Sequence, residues 1–362
     1  MGIKLGNICR FQSGGTPSKG RPEFFNGTIP WITTTALNGG NIGKESAVDW
    51  ISEQAIKESA AKIVPAFSVM VGTRVGVGKV AINTTNMSTS QDIVALLDID
   101  ESIWSKAFLC KFLQAKGTFL KAQARGATIK GIKIDVLSEL ELPEIPIEEQ
   151  QHISQIIDKV KATIAIRQSQ LQKLDELVKV RFVELFGDPI SNPKGWKKDK
   201  AENHIDLLSG YPFQSEQYVN DGINICGGLI IMPQKIQWQD CKHWPSVDGY
   251  EDYLLAEDDI VLALDRPWIS EGFKIAQVDS THLPALLIQR TARIRGIDVN
   301  QQYLFHCFVN GGFDKHSNVT GSLVPHISAK DIRSFEILLP PIKLQKQFAA
   351  FVKQVDKSKF CA

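Results

Sequence analysis

Gly72-Thr73-Arg74-Val75-Gly76-Val77-Gly78-Lys79 is the stretch of this chain closest to phosphate-binding chemistry, since glycines let backbone N–H groups close around an anion and lysine supplies charge. It fails the nucleotide-loop spacing. Residue 73 is threonine where glycine is needed, and Val80 stands where Ser or Thr should meet magnesium. The stretch also fits G-x-G-x-x-A, but it leads into a strand and not a helix, which excludes a dinucleotide fold. No Asp/Asn-Pro-Pro-aromatic motif of amino methyltransferases occurs, and the carboxylate-x-lysine pair Asp240 and Lys242 lacks the second acid of a nuclease centre. The histidines are dispersed, with no H-E-x-x-H and no Ser/His/Asp constellation. Cys9, Cys110, Cys226, Cys241, Cys307 and Cys361 include no C-x-x-C pair, so neither a zinc site nor a disulfide framework is expected. The chemistry left is binding.

What it binds is indicated by local charge. The net charge of +1 argues against a globally basic protein. Yet Lys106, Lys111, Lys116, Lys121, Arg125, Lys130 and Lys133 fall between Ile103 and Ile134 with no acid among them. Such a run can line phosphates or be a solvated helix face. A second acid-poor zone, with Arg290, Arg293, Arg295, Lys315, His316, His326 and Lys330, favours phosphate contact.

These residues need elements to carry them, and the elements come twice. Gly126 to Val160 aligns without a gap on Gly321 to Val355 at an offset of 195, pairing Ile132 with Ile327, Pro146 with Pro341 and Gln150 with Gln345. A period this long means duplicated domains, not a solenoid. Each copy reads as short strands and turns with a few helices: Phe67 to Val71 and Lys79 to Asn83 as a hairpin, Trp104 to Gln123 as helix, and Ile260 to Leu264 as a strand. The loops differ at corresponding places, so the copies should read different ligands.

Between the copies, Pro146 to Phe186 predicts one helix, opened by proline with Glu148 and Glu149 and stopped by Gly187-Asp188-Pro189. Ile153, Ile157, Val160, Ile164, Leu171, Leu174, Val178 and Leu185 follow a 3.5-residue period, as in a coiled-coil seam. Such a helix is about 60 Å long. The second copy leads into a shorter helix with Phe348, Val352 and Val355, able to pair antiparallel with the first. Its length leaves Leu171, Leu174 and Val178 without an evident partner, a surface open to another protein or to a second copy of the chain. No apolar run approaches the roughly 20 residues of a membrane span and the start has no signal-peptide core, which points to the cytoplasm.

The Leu5-Gly6-Asn7-Ile8 strand, the Gly14-Gly15-Thr16-Pro17-Ser18 turn, Ile29-Pro30-Trp31-Ile32, the helix start at Pro146 to Gln150 and Leu185-Phe186-Gly187-Asp188-Pro189 before Asn192-Pro193-Lys194-Gly195-Trp196 together resemble the DNA-specificity subunit of type I restriction-modification enzymes. The resemblance covers nearly the whole chain. It implies an α+β fold with two similar, mostly-β target-recognition domains, residues 1–145 and 188–340, separated by a spacer helix over 146–187. A second, short spacer helix over 341–362 would pair with it as an antiparallel coiled coil. In that family the two domains read the halves of an interrupted DNA site. Two methyltransferase subunits dock on the scaffold and use S-adenosylmethionine to methylate adenine, and a motor-nuclease subunit joins for cleavage. The chain itself would carry no cofactor. The short second helix departs from the family pattern.

Under that resemblance, specificity comes from loop side chains that reach base edges in the major groove. In the first module these are Thr34, Thr35, Asn38, Arg74, Lys79, Gln91, Thr128 and Lys130, with Lys121 and Arg125 on phosphates. In the second they are Tyr211, Gln214, Arg266, Trp268, Gln289, Arg290 and His326. Trp31 and Trp268 could equally be core. The alternative is a non-catalytic scaffold that binds protein partners through the coiled coil and would lack salt-steep DNA binding.

Overall fold

The computed structural model of the chain describes residues 2–126, 130–319 and 325–361, with side chains described to Lys359. It divides into two compact units, Met1–Ala165 and Ile166–Ala362, the division falling inside the long helix.

The first unit starts with β1 (Gly2–Lys4), β2 (Arg10–Ser13), β3 (Ile29–Ile32), β4 (Asn41–Ile42) and β5 (Asp49–Ile51), and then helix α1 (Glu53–Glu58). After α1 come β6 (Ile63–Val64), β7 (Val69–Gly72), β8 (Val80–Asn83), β9 (Met87–Thr89) and β10 (Ile93–Leu97). Its main sheet has the order β2-β10-β7-β8-β4. The all-apolar Ile93-Val94-Ala95-Leu96-Leu97 is buried throughout, as expected of a strand covered on both faces. A second sheet, β5-β3-β9-β6, has β3 and β9 parallel. The predicted hairpin forms, with Val71 paired to Val80. The helix expected from Trp104 to Gln123 is two helices, α2 (Lys106–Ala115) and α3 (Gly117–Ala122), broken where Gly117 lies against Gly78. Ser105 caps α2 by accepting from Phe108 N at 3.3 Å. The short α4 (Ile134–Ser138) leads to β11 (Glu141–Pro143), which returns to pair with β1.

Helix α5 (Ile147–Phe186) is continuous, with Glu148 and Glu149 in its first turn, and it ends before Gly187 at φ +81°, a left-handed conformation suited to glycine. Its first part belongs to the first unit, where Ile153 packs on the core.

The second unit repeats the plan with β12 (Lys198–Lys200), β13 (Ile205–Ser209), β14 (Ile223–Cys226), β15 (Ile231–Met232), β16 (Lys235–Ile236) and β17 (Lys242–Trp244). Then come β18 (Ile260–Ala263), β19 (Trp268–Ile269), β20 (Gly272–Phe273), β21 (Ile275–Gln277), β22 (Ala285–Leu287) and β23 (Thr291–Gly296). Helices α6 (Gln301–Asn310), α7 (Phe313–His316) and α8 (Ala329–Ser334) precede β24 (Glu336–Leu338) and α9 (Ile342–Cys361). Sheet orders β13-β23-β18-β21 and β17-β14-β22 follow those of the first unit with one strand fewer each, lacking counterparts of β4 and β6 and keeping the parallel pair of β3 with β9 as β14 with β22.

Helix α9 runs antiparallel to the last part of α5, with Lys359 Nζ 2.8 Å from Asp175 and the Phe182 and Phe348 rings 5.5 Å apart. This corrects the expectation that Leu174 and Val178 lack a partner: Val178 is buried and Leu174 packs on the same core. The strict 3.5-residue seam also gives way, because Phe182 and Phe186, four residues apart, are both fully buried beside Val352 and Val355. Ile157 is half-buried, whereas Val160, Ile164 and Leu171 are exposed at 52%, 51% and 37%.

Candidate nucleic-acid interface

Five backbone hydrogen bonds knit four loops of the first module into one face. Ser90 N donates to Ile32 O (2.9 Å), Thr73 N to Asp92 O (2.8 Å), Ile132 N to Thr73 O (2.8 Å), Gly72 N to Lys79 O (2.8 Å) and Gly15 N to Thr89 O (2.9 Å). The second module makes the same five. Ile288 N donates to Cys226 O (3.2 Å), Leu264 N to Arg290 O (2.9 Å), Ile327 N to Leu264 O (2.9 Å), Ala263 N to Lys274 O (3.0 Å) and Tyr211 N to Leu287 O (3.0 Å). Backbone and strand order therefore align the loops residue by residue, independently of sequence.

Most side chains at matching positions differ. Arg74 corresponds to Asp265, Asp92 to Arg290, Thr35 to Leu229, Gly131 to His326 and Gly15 to Tyr211, while Lys79 and Lys274 are the same residue. Gln91 and Gln289 match in kind, and both are exposed. A single frame thus presents two chemistries.

In the first module Thr34, Thr35, Arg74 and Lys79 gather around the β7–β8 turn. A Cβ on Gly76 would lie 3.2 Å from both Lys79 Cδ and Thr34 Cβ, and one on Gly131 would lie 2.9 Å from Arg74 Cγ. Thr34 is buried and supports the turn; its exposed neighbour Thr35 shares a 2.8 Å hydrogen bond with Thr33. Asn38 accepts from Gly40 N at 2.9 Å, and Gly39 N donates to Val80 O beside Lys79. Gln91 accepts from Thr16. Lys121 is exposed on α3, Arg125 and Lys130 are exposed, and Arg125 bridges Gly131. Thr128 lies outside the described residues.

The basic zones are smaller than the sequence implied. Lys106 pairs with Glu101 at 2.6 Å and Lys111 with Asp158, acids outside the run that the chain folds back to meet. Arg293 is buried against Asp206, and Arg295 donates to Asp259 at 2.7 Å. These four are internal ion pairs.

In the second module Tyr211, Arg266, Gln289, Arg290 and His326 come together. Arg266 N donates to Pro325 O at 2.6 Å, Gln289 N to Tyr211 O at 2.8 Å, and Asp265 bridges His326. Arg266 and Arg290 have φ of 46° and 69°, a left-handed conformation that costs of order 1–3 kcal/mol for a residue other than glycine and persists where the surroundings hold it. Two predicted residues sit apart from these contacts. Trp268 stacks on Phe273 at 4.9 Å and packs on the core, and Gln214 is exposed beyond the aromatic cluster of Tyr211, Phe213, Tyr250 and Tyr253. Trp31 is core, its indole donating to Gly15 O at 3.0 Å.

Asp92, Asp265 and Lys274 were missed from sequence. Lys274 was findable, since the repeat offset of 195 carries Lys79 onto it. It is buried, donates to Gly228 O, and burial followed by the Arg266 charge pushes its pKa below the lysine value. Asp92 and Asp265 lie where the loops change length between copies, so a fixed offset does not reach their counterparts.

Among the described residues no group of three or more His, Cys, Asp or Glu could hold a metal, and no helix is long and apolar enough to cross a membrane. Two copies of one fold, each presenting exposed Arg and Gln on tied loops, define a binding protein with paired recognition modules. The family is given by its matches: residues 2–176 and 246–360 fit the type I restriction modification DNA specificity domain, and the chain belongs to that family.

It is a specificity subunit of a type I restriction-modification system, the non-catalytic part that determines DNA target recognition within a complex of other subunits and DNA. It is 24% identical over 372 residues to the MjaVIII specificity subunit of Methanocaldococcus jannaschii, covering 98% of this chain and 85% of that one. It is 30% identical over 206 residues to the EcoAI specificity subunit of Escherichia coli, covering 54% and 34%. The fold is similar to the S subunit from M. genitalium, with TM-score 0.53 and 15% identity over 99% of this chain and 90% of that one. A chain from a structure of type I R-M complex assembly gives TM-score 0.57 at 15% identity, again over 99% and 90%.

Proposed function

We propose that each module reads one half of a bipartite, asymmetric DNA site through its tied loop face, with domains over residues 1–145 and 188–340 and helices over 146–187 and 341–362. The observation that carries this reading is the shared set of five loop hydrogen bonds beneath exchanged side chains. A rigid common frame can dock in a major groove in one way, while different side chains select different bases. Arg125, Lys121 and Lys130 serve as phosphate contacts, and Arg74, Lys79, Gln91, Gln289, Arg290 and Arg266 as base readers. The exposed stripe with Val160 and Ile164 is a docking surface for methyltransferase subunits, two in number, which bring S-adenosylmethionine. A motor-nuclease subunit completes the cytoplasmic complex.

The test is base-resolution methylation mapping in a modification-free host that expresses the chain with and without its methyltransferase subunit. A two-part asymmetric motif only when both are present is expected. Absence of any motif, together with DNA binding that does not weaken between 50 and 200 mM salt, would overturn the reading, since phosphate-neutralising binders lose several orders of magnitude over roughly that range.

A further inference from the structure

Leu229 is 87% exposed, more than any other large apolar side chain among the described residues. A single exposed leucine means little in itself. Its position is what counts. Leu229 occupies the tip of the turn after β14, as Thr35 does after β3. Ile230 N donates to Gly227 O at 3.1 Å in one module, and Ala36 N donates to Thr33 O at 3.1 Å in the other.

The turn is built to hold that tip still. Ile230 and Ile231 are buried beneath it, Gln237 N donates to Ile230 O at 2.9 Å, and the buried Lys274 ammonium donates to Gly228 O. A Cβ on Gly227 would lie 3.1 Å from Ile288 Cγ2, and one on Gly228 would lie 3.5 Å from Ala263 Cβ and 3.7 Å from Arg290 O. The leucine therefore sits rigidly beside the Gln289–Arg290 segment of the reading face.

An isobutyl group has no donor or acceptor to offer a base edge. The feature of the major groove it can recognise is the C5-methyl of thymine, which excludes water when the two meet. We propose that Leu229 is a specificity-determining residue of the second module that packs against a thymine methyl group in that module's half-site. This rests on the loop face being the DNA-reading surface. Thr35 places a hydroxyl at the same tip of the first module, so the two halves differ in this requirement.

The experiment uses the chain assembled with its methyltransferase subunits and duplexes carrying the mapped site. Each thymine of the second module's half is replaced in turn by deoxyuracil, which removes the methyl group alone. One replacement should weaken wild-type binding by roughly fourfold, the value of a buried methyl group. Leu229→Ala should bind the thymine duplex more weakly and respond less than twofold to that replacement. Its response to changes in the first half should match wild type, and an unchanged melting temperature would show that it is folded.

The proposal is overturned by no deoxyuracil sensitivity in wild type, by undiminished sensitivity in Leu229→Ala, or by a second half-site without an A·T pair. Uniform weakening on all sequences would also overturn it, marking Leu229 as a wedge in the base stack. If the wild-type complex had no sequence preference at all, the assignment of the face itself would fail, a result distinct from these.

Discussion

Asp265 and Arg290 form an ion pair at 3.7 Å, on positions where the first module carries Arg74 and Asp92. The charges are exchanged between copies while the backbone beneath them is kept. Arg290 is 70% exposed, so the pair itself contributes only about 0–1 kcal/mol to stability. Its use lies in aiming the guanidinium: a carboxylate at one edge leaves the other edge free for a bidentate contact with guanine.

Arg290→Ala should therefore cost roughly 1–3 kcal/mol of discrimination, about 5- to 150-fold, at one base pair of the second half-site, leaving the first half as it was. Arg74→Ala should do the same to the first half, and Arg266→Ala to the second. Methylation mapping of each variant complex reads this directly. A uniform loss over both halves would instead identify the residue as a phosphate clamp.

Phosphate contacts should show the opposite pattern. Arg125→Ala is expected to weaken binding to any duplex by a similar factor and to lower the slope of log K against log salt by about one. Binding titrations at several salt concentrations on cognate and unrelated DNA check it. Lys111→Ala should leave the slope unchanged, because Lys111 is committed to Asp158.

Legibility in the sequence followed physical scale. Repeat, helix and strand patterns depend on burial over many residues, so the hairpin of Phe67 to Val71 with Lys79 to Asn83 and the pairing of Ile132 with Ile327 could be read directly. The buried amides Gln150 and Gln345 were matched from sequence, but their work was not: Gln150 Oε1 accepts from Ser105 N and Gln345 Oε1 from Asn300 N, at 2.9 and 2.8 Å. Such bonds cross about 45 residues and have no local signature. The candidate face was half legible, because Arg and Gln on loops draw attention and the repeat offset reaches Lys274, whereas Asp265 and Leu229 acquire meaning only from their neighbours. The basic run misled for the same reason. Charge counting along the chain cannot see Glu101 and Asp158 arriving from outside it.

Gln345→Ala should destabilise the second unit by roughly 1–3 kcal/mol, the cost of stranding a buried backbone group. The groups involved are Asn300 N and Pro340 O, the latter accepting from Gln345 Nε2 at 2.8 Å. Urea unfolding followed by tryptophan fluorescence measures it, and a loss below 0.5 kcal/mol would mean that water replaces the amide.

His306 gives the second unit a pH dependence. It is packed between Phe182, Phe305 and Phe348, and burial, with a smaller effect from Lys359, pushes its pKa down to about 3. A His that is neutral in the fold and free to protonate when unfolded contributes stability that is complete above the unfolded value of about 6.5 and falls as pH drops from there toward 3. The slope approaches about 1.4 kcal/mol per pH unit. Between pH 6 and 5, above the range where most carboxylates titrate, His306→Gln should flatten the unfolding free energy against pH. An unchanged slope would place the dependence elsewhere.

The two stretches of α5 should respond oppositely to mutation. Phe182 is fully buried against Phe186, Tyr303 and Phe348, so Phe182→Ala should cost about 3–5 kcal/mol and depress the melting temperature of the chain. Ile164 is 51% exposed, and Ile164→Ser should change stability of the isolated chain by no more than about 0.5 kcal/mol. If that stripe docks the methyltransferase subunits, Ile164→Ser together with Val160→Ser should nevertheless weaken assembly at least tenfold, since removing two apolar side chains from a buried contact forfeits about 1.5–3 kcal/mol each. Co-purification with the methyltransferase subunit and a melt of the free chain, run in parallel, separate the two effects. Full assembly of the doubly substituted chain would move the docking surface off this stripe.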